Sequence, residues 1–423
     1  MIIRKTAKGK RNASRLLFSL LFGVVGIIFL LAALAETTAF VIDVDKGTPS
    51  SGAQIISDTT AAGGKAIRFG TFVAPPTTPS GPLPIPNPLK SNWTAPAGHY
   101  TLPATNVAVS SRVTVDLSAA TITGSSGYLF NLKPGGHLTV KGGDLHGKFP
   151  GLVLVSVPDG STGSVTVSGT KLTNVRSIVY SKTQGGAIDV TFTNVKATGL
   201  GDGIRATANK VYVDHCVLNG GGEPPSGFPV GIHTLDDSAG NVAVPGTYIK
   251  VYNSTITGYV TNGFQGDSIL GETRTAFADI QNNILGHNTD SGGVDSKMKE
   301  VIFKNNTVYS DGNRAISSHY GTLTSSGNTI YQVAVSSAGD PGKAYQGSAT
   351  LNATNDIVIL APGAFLAQAS VVLKPGSGPP STYPRVGNLT IKGAKDKNGN
   401  PVTGPIKKPT QSGGYTPTIT VIP

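Results

Sequence analysis

VTVSGTKLTN at residues 165–174 is the first clear copy of a pattern that recurs through the middle of the chain. Its first and third positions are apolar, so alternate side chains of a strand would point to opposite faces. Later copies are VTFTNVKATG (190–199), VYVDHCVLNG (211–220), IKVYNSTITG (249–258), ADIQNNILGH (278–287) and VIFKNNTVYS (301–310), with looser ones at LTVKGGDLHG (138–147) and LNATNDIVIL (351–360). Successive clear copies begin 21 to 38 residues apart, which is typical of a repeat architecture.

A second short strand follows the copies after about fifteen residues. The segments are GIRAT (203–207), GIHTL (231–235), GFQGD (263–267), GVDSK (293–297) and AISSH (315–319). Two strand types that recur in a fixed order predict the coils of an all-β parallel solenoid, in which each coil stacks on the one before. Ile204, Ile232, Phe264, Val294 and Ile316 are then expected to form one inward ladder.

Asparagine recurs at the fifth position of the first pattern. It stands at Asn194, Asn253, Asn282 and Asn305, and at Asn355 in a looser copy. Asparagine favours turns, so we expect a turn there, with each amide bonded to the equivalent residue one coil away.

Charge and composition exclude several functional classes. The formal net charge is +11, but the basic excess lies in the first 35 residues and the last fifty, and residues 36–373 are close to neutral. The body therefore lacks the positive field that nucleic-acid binding requires, and no nucleic-acid partner is expected. Because Cys216 is the only cysteine, an intramolecular disulfide and a cysteine-based zinc site are excluded.

The chain divides into four segments. Residues 1–35 place six basic residues before an apolar run from Leu16 to Ala35, which predicts an export signal or a retained N-terminal anchor. We expect a secreted or cell-envelope protein, monomeric, with membrane contact only through that anchor. An irregular Pro/Gly-rich lead-in follows at 36–94, then the solenoid at 95–345 and a basic, Pro/Gly-rich C-terminal segment at 346–423.

The repeats, together with the opening segment APAGHYTLP (95–103), resemble the right-handed parallel β-helix proteins of the pectate-lyase-like superfamily. This resemblance implies a right-handed parallel β-helix and a carbohydrate-active role on an acidic polysaccharide. A fold supports many reactions, so the function must be argued from the site.

Two outward rows of the second strand type carry the unusual residues. One row is predicted to contain Arg205, His233, Gln265, Asp295 and Ser317. The neighbouring row is predicted to contain Thr207, Leu235, Asp267, Lys297 and His319. Coils stack about 4.8 Å apart, so Asp267, Lys297 and His319 are expected on consecutive rungs, with Arg314 and Asp290 nearby.

Such a set of groups suits β-elimination on a uronate-containing glycan, which needs a base, a cation for the developing charge and an acid for the leaving oxygen. We assign the catalytic roles to Lys297 as base and to His319 or Arg314 on the leaving side. Arg205, His233 and Gln265 are candidate substrate-binding residues. Asp267, Asp290 and Asp295 are candidate ligands for Ca²⁺, which prefers oxygen.

The family comparison adds one match and one departure. GGVDSK (292–297) looks like the strand that bears the catalytic lysine in several polysaccharide lyases, and Lys297 matches that lysine. Ser318 stands where an arginine is expected on the next coil. Two alternatives remain open. One is a glycoside hydrolase that uses Asp267 and Asp295, predicted about 8 Å apart, and the other is a non-catalytic glycan-binding surface or envelope protein.

Overall fold

The computed structural model describes residues 53–57, 65–69, 80–158, 161–181, 188–221, 229–235, 247–260, 266–272, 276–332, 341–373, 384–409 and 411–423. These residues form strands, turns and irregular segments and contain no helix. Within residues 1–77, β1 (Ala53–Ser57) and β2 (Lys65–Phe69) pair as an antiparallel hairpin. Residues 78–423 form a second unit, a right-handed parallel β-helix of about 9 turns.

Three parallel sheets run along the solenoid. Sheet I contains β3 (Trp93–Thr94), β6 (Arg112–Asp116), β8 (Gly136–Lys141), β10 (Gly163–Ser168), β13 (Ile188–Thr193), β16 (Ala208–Asp214), β19 (Tyr248–Tyr252), β22 (Phe277–Gln281), β25 (Glu300–Lys304), β28 (Thr322–Ser326), β31 (Thr350–Thr354), β36 (Asn388–Lys392) and β38 (Thr418–Ile422).

Sheet II consists mainly of short strands. It contains β4 (Gly98–Thr101), the first parts of β7 (Ala120–Leu132) and β9 (Asp144–Val157), and then β11 (Lys171–Thr173), β14 (Lys196–Thr198), β17 (Val217–Asn219), β20 (Thr255–Thr257), β23 (Ile284–Gly286), β26 (Thr307–Ser310), β29 (Thr329–Gln332) and β32 (Ile357–Leu360).

Sheet III carries the candidate site. It contains β5 (Val107–Val109), the second parts of β7 and β9, and then β12 (Ser177–Ser181), β15 (Asp202–Ala206), β18 (Val230–Thr234), β21 (Asp267–Gly271), β24 (Ser291–Ser296), β27 (Arg314–Ser318), β30 (Lys343–Gly347), β33 (Phe365–Ala369) and β37 (Ile406–Lys407). A separate antiparallel pair joins β34 (Val371–Val372) to β35 (Arg385–Val386).

The repeat alignment in sheet I is confirmed residue by residue. Val165 pairs with Val190 and Val190 with Val211, and the same register continues to Val301. These side chains are buried inside the coil, where each aliphatic residue removed from water contributes about 1.5–3 kcal/mol. The parallel ladders do not end at residue 345, because β31, β36 and β38 continue sheet I to Ile422.

The recurrent asparagines lie in turns, as predicted, but they do not form the ladder. Asn194, Asn253, Asn282, Asn305 and Asn355 all have φ between 51° and 59°, the left-handed conformation that asparagine tolerates better than most residues. Their side chains are exposed at the corner between sheets I and II. His215, at the same position, has φ 53°.

The amide ladder is formed by the next residue in each coil. Asn283 Nδ2 donates to Asn306 Oδ1 at 3.0 Å, Asn306 Nδ2 donates to Asn328 Oδ1 at 3.1 Å, and Asn328 Nδ2 donates to Asp356 Oδ1 at 3.1 Å. These four side chains are almost completely buried. The prediction was displaced by one residue because a left-handed corner turns its own side chain outward and the following one inward.

Asn305 and Asn306 allow a test of this ladder within one turn. Asn306→Ala should lower the free energy of unfolding by about 3 kcal/mol. It removes the acceptor for the backbone N–H and for one Nδ2 hydrogen of Asn283, and the side-chain donor to the carbonyl of Ile280. Asn305→Gly should change it by less than about 0.5 kcal/mol, because glycine adopts the same left-handed conformation. Urea denaturation followed by circular dichroism measures both, and equal losses would contradict the assignment.

Candidate functional site

One outward row of sheet III is polar along almost its whole length. Consecutive rungs of this polar row are Asn131, Ser156, Tyr180, Arg205, His233, Leu270, Asp295, Ser317, Gln346, Gln368 and Lys407. Only Leu270 is apolar. The side chains are half-buried towards both ends of the row and buried from His233 to Ser317. At about 4.8 Å per rung, the row extends roughly 48 Å along the solenoid axis.

The neighbouring row is confirmed for two of its three predicted ionisable members. The backbone N–H of His319 donates to Ser296 O, and that of Lys297 donates to Gly271 O, so Lys297 and His319 occupy consecutive rungs. The predicted place of Asp267 is wrong. Glu272 stands on the rung before Lys297, and its N–H donates to Thr234 O.

The misplacement arises in a single coil. Ile232 pairs with Ile269 rather than with Phe264, so the strand of this coil begins five residues later than the GFQGD segment predicts. Alternation alone does not determine how long the preceding turn is. Ser268, which is buried, donates to Ile256 O at 2.7 Å and thereby anchors the strand in this register. Phe264 and Gln265, the latter a candidate substrate-binding residue, lie outside the described residues.

Four charged or ionisable side chains form a continuous hydrogen-bonded chain across successive coils, which we call the Glu272 cluster. Arg205 Nη1 lies 2.9 Å from His233 Nδ1, and His233 Nε2 lies 2.9 Å from Glu272 Oε2. Lys297 Nζ donates to Glu272 Oε1 at 2.5 Å. Since arginine only donates, His233 must accept at Nδ1 and donate from Nε2.

Burial sets the protonation of this cluster. It lowers the pKa of His233, against the opposing influence of Glu272, so the ring is neutral at pH 7. Burial alone would raise the pKa of Glu272, but hydrogen bonds and charges from His233 and Lys297 outweigh it and lower this pKa to about 2. Glu272 is therefore an anion between the neutral His233 and the cationic Lys297. With Arg205 included, the cluster carries a net charge of +1.

A second group, the Asp295 cluster, consists of Asp267, Asp290, Asp295, Arg314 and His319. Arg314 Nη2 donates to Asp290 Oδ2 at 2.8 Å and to Asp295 Oδ2 at 3.0 Å. His319 Nε2 lies 3.1 Å from Asp295 Oδ1. Arg314, predicted near the site, thus lies at its centre.

Two supporting hydroxyls hold this cluster in place. Ser317 Oγ donates to Asp295 Oδ1 at 2.6 Å, and Arg314 Nε donates to Ser291 Oγ at 2.9 Å. On the far side of the imidazole, His319 Nδ1 lies 3.4 Å from Ser348 Oγ. Asp295 is thereby fixed from both oxygens, and it orients His319.

The two most buried carboxyl groups of this cluster have opposite pKa shifts. Burial, together with the charges of Asp295 and Asp290, raises the pKa of Asp267 to about 8. Burial also opposes ionisation of Asp295, but the charges of Arg314 and His319 outweigh it and hold that pKa well below its usual range. At pH 7 Asp267 is mainly protonated and Asp295 is ionised.

The donor set does not fit the predicted calcium site. Ca²⁺ takes six to eight oxygen ligands, whereas the guanidinium of Arg314 lies between Asp290 and Asp295 and donates to both. Asp267, the third candidate ligand, carries a proton near neutral pH. Within the described part of the chain, no group of three or more His, Cys, Asp or Glu side chains is placed to hold a metal ion.

Comparisons with known proteins found no match. This holds for models of protein families, for curated protein sequences and for solved structures. The fold and the site geometry therefore carry the functional argument alone. In the described segments no helix is long and apolar enough to cross a membrane, and the predicted signal or anchor at 1–35 lies outside them.

Asp267 supplies a pH-dependent test of the site. Its folded-state pKa of about 8 lies above the ordinary value of 3.8, so ionisation of the unfolded chain favours unfolding progressively from about pH 4 to pH 8. Asp267→Asn keeps the acceptor for Ser291 N and removes this penalty. The variant should be more stable than wild type by roughly 1–3 kcal/mol at pH 8, with the difference vanishing near pH 4.

Denaturation midpoints between pH 4 and pH 8 measure the effect. Asp311→Asn, at a half-exposed carboxylate outside the cluster, is the matched control and should run parallel to wild type. A wild-type stability that does not fall relative to Asp267→Asn as the pH rises would contradict the protonated state of Asp267.

Proposed function

We propose that this protein is a carbohydrate-active β-helix enzyme, a polysaccharide lyase that cleaves an acidic glycan by β-elimination on sheet III. The polar row is the observation that carries the proposal. A line of side chains about 48 Å long, all but one of them hydrogen-bonding, suits an extended polymer bound parallel to the solenoid axis. The two charged clusters lie at its middle, where a bound chain would have sugar residues on both sides of the cleaved bond.

His319 is the better candidate for the base. His319 Nε2 lies 3.1 Å from Asp295 Oδ1, and a ring that donates from Nε2 to this carboxylate presents Nδ1 as its basic nitrogen. Lys297, which we assigned as base from the sequence, donates a hydrogen bond from its ammonium group to Glu272. In this state it has no lone pair with which to accept a proton. Lys297 has a side chain 36% exposed, and it suits the other role, that of neutralising the substrate carboxylate.

The reaction then balances with these two residues. His319 Nδ1 takes the proton from the carbon next to the carboxylate, and the electrons of that C–H bond form a double bond as the bond to the leaving oxygen breaks. The Lys297 ammonium stabilises the charge that develops on the carboxylate. The protonated imidazole returns the proton to the leaving oxygen. Arg314 is a positioning residue that holds Asp295 against His319.

Arg205 extends the site along the row. It lies three rungs from Asp295 along this row, is half-buried, and hydrogen-bonds to His233. Together with Lys297 it gives the Glu272 cluster its net positive charge, which favours a second uronate of the same chain. The proposal places the enzyme outside the cytoplasm, in agreement with the export signal or anchor predicted at 1–35, and within the pectate-lyase-like superfamily.

A glycoside hydrolase is the second candidate. The opposite pKa shifts of Asp267 and Asp295 are the observation that favours it, because an acid and a base with separated pKa values are what such a reaction requires. The accessibility of Asp267 argues against it, since this side chain is 0% exposed and does not reach a bound sugar.

The assay that tests the lyase uses pectate, alginate and glycosaminoglycans, each with and without Ca²⁺. Unsaturated product, detected by ultraviolet absorbance, is the expected result with at least one of them. His319→Ala should lower the rate about 10²–10⁴-fold because it removes the base. Lys297→Ala should lower it about 10²–10³-fold because it removes the charge that stabilises the transition state.

Lys299→Ala is the matched control, since this exposed lysine lies two residues from Lys297 and outside both clusters. Its rate should equal that of wild type. New reducing ends without unsaturation would identify the hydrolase instead. If neither product forms from any glycan, in a protein with a native circular dichroism spectrum, an enzymatic function is contradicted. The non-catalytic glycan-binding protein is then the remaining alternative.

A further inference from the structure

The exposed face of sheet I carries a concentration of aromatic side chains that the candidate site does not use. Aromatic residues are only 7% of the chain, yet three adjacent strands, β16, β19 and β22, present four of them outward. Together with two lysines they define the aromatic patch, which consists of Lys210, Tyr212, Tyr248, Lys250, Tyr252 and Phe277.

The registry of these strands arranges the patch as a grid. Lys210 pairs with Tyr248 and Tyr248 with Phe277, while Tyr212 pairs with Lys250. Neighbouring strands are about 4.8 Å apart, and outward side chains along a strand are roughly 6.7 Å apart. Neither pairing between these strands contains a register shift, so the surface is regular and extends across sheet I.

The rings are held in place by one another and by the lysines. Tyr212 and Tyr252 pack edge to face, with ring centroids 6.2 Å apart. The ammonium groups of Lys250 and Lys210 lie 5.2 Å and 5.9 Å from the centroid of the Tyr248 ring, within the range of a cation–π interaction. Phe277 is exposed at the next strand.

Two carboxylates fix the tyrosine hydroxyls and balance the charge. Tyr252 Oη donates to Asp279 Oδ2 at 2.7 Å, and Tyr212 Oη donates to Asp214 Oδ2 at 3.2 Å. The negative charges of Asp214 and Asp279 cancel those of Lys210 and Lys250. The surface is therefore aromatic, rich in hydrogen-bonding groups, and neutral overall.

Such chemistry selects among ligands. A nucleic acid or an acidic glycan would meet the carboxylates of Asp214 and Asp279 and would gain no net attraction. The apolar C–H faces of an uncharged sugar pack on aromatic rings, while its hydroxyls donate to the carboxylates and accept from the ammonium groups. Pre-ordered rings lose little conformational freedom when such a ligand binds.

We propose that the aromatic patch of sheet I is a binding site for a neutral polysaccharide, separate from the acidic-glycan site of sheet III. It would attach the protein to an uncharged glycan surface while the other face remains free. The site is independent of the proposed lyase activity, since it lies on another sheet and shares no residue with either cluster.

The full chain is tested for binding to soluble neutral glycans, namely hydroxyethyl cellulose, xyloglucan and galactomannan, by isothermal titration calorimetry and affinity electrophoresis. Binding to at least one of them is the expected result. The double variant Tyr212→Ala/Tyr252→Ala should bind roughly tenfold more weakly or worse, as is typical when aromatic anchors are removed. Tyr212→Phe/Tyr252→Phe keeps both rings and should stay within about threefold of wild type.

Thr324→Ala/Thr390→Ala is the matched control, because both threonines lie on the outward face of sheet I and away from the patch. It should bind as wild type does, and circular dichroism establishes that all variants are folded.

The proposal is overturned if no neutral glycan binds, or if the alanine variant binds unchanged. It is also overturned if polygalacturonate competes for the patch, or if Tyr212→Ala/Tyr252→Ala dissociates a dimer in light-scattering measurements. Lyase assays on the same variants keep the two proposals distinct, since their rates on soluble acidic glycans should be unchanged.

Discussion

The backbone hydrogen bonds between successive coils are the interaction on which the rest of this protein depends. Each strand of a sheet bonds to the equivalent strand of the coils before and after it, so residues 21 to 38 positions apart in the sequence become neighbours about 4.8 Å apart. The interior ladder from Val165 to Val301 follows from this stacking. So do the Glu272 cluster, whose four members come from four coils, and the aromatic patch, whose members come from three.

Sheet I could be predicted almost completely because its strands are directly followed by the left-handed corner. That corner is short and constant, so the apolar alternation of each copy aligns without ambiguity with the next. The amide ladder was placed one residue early for a related reason. The repeated Asn marks the corner in the sequence, whereas the buried Asn283 and Asn306 that follow it are recognised only when the backbone conformation of the corner is known.

Sheet III was less predictable because the turn before it varies in length. Four of its five strands align as expected, but in one coil GFQGD and SILGE both place an apolar residue directly after a small one. The choice of Ile269 over Phe264 moved every outward residue of that coil. It removed Asp267 from the row of Lys297 and His319 and placed Glu272 there, which is why the partner of Lys297 was missed. The sequence does contain a signal for the correct register. In both Gly271-Glu272 and Ser296-Lys297, a small inward residue is followed by a charged outward one.

The amide ladder also has a direction. In each side-chain to side-chain bond of the ladder, Nδ2 donates to the oxygen of the next coil towards the C-terminus. Asp356 receives the last of these bonds together with hydroxyl hydrogen bonds from Ser325 and Tyr345. A coil carrying Asn could be duplicated or deleted anywhere before Asp356 without reversing any donor or acceptor. Placed after Asp356, the same coil would receive no side-chain donor from its neighbour. The carboxylate thus ends the amide ladder at this coil, while the backbone ladder of sheet I continues beyond it to Ile422.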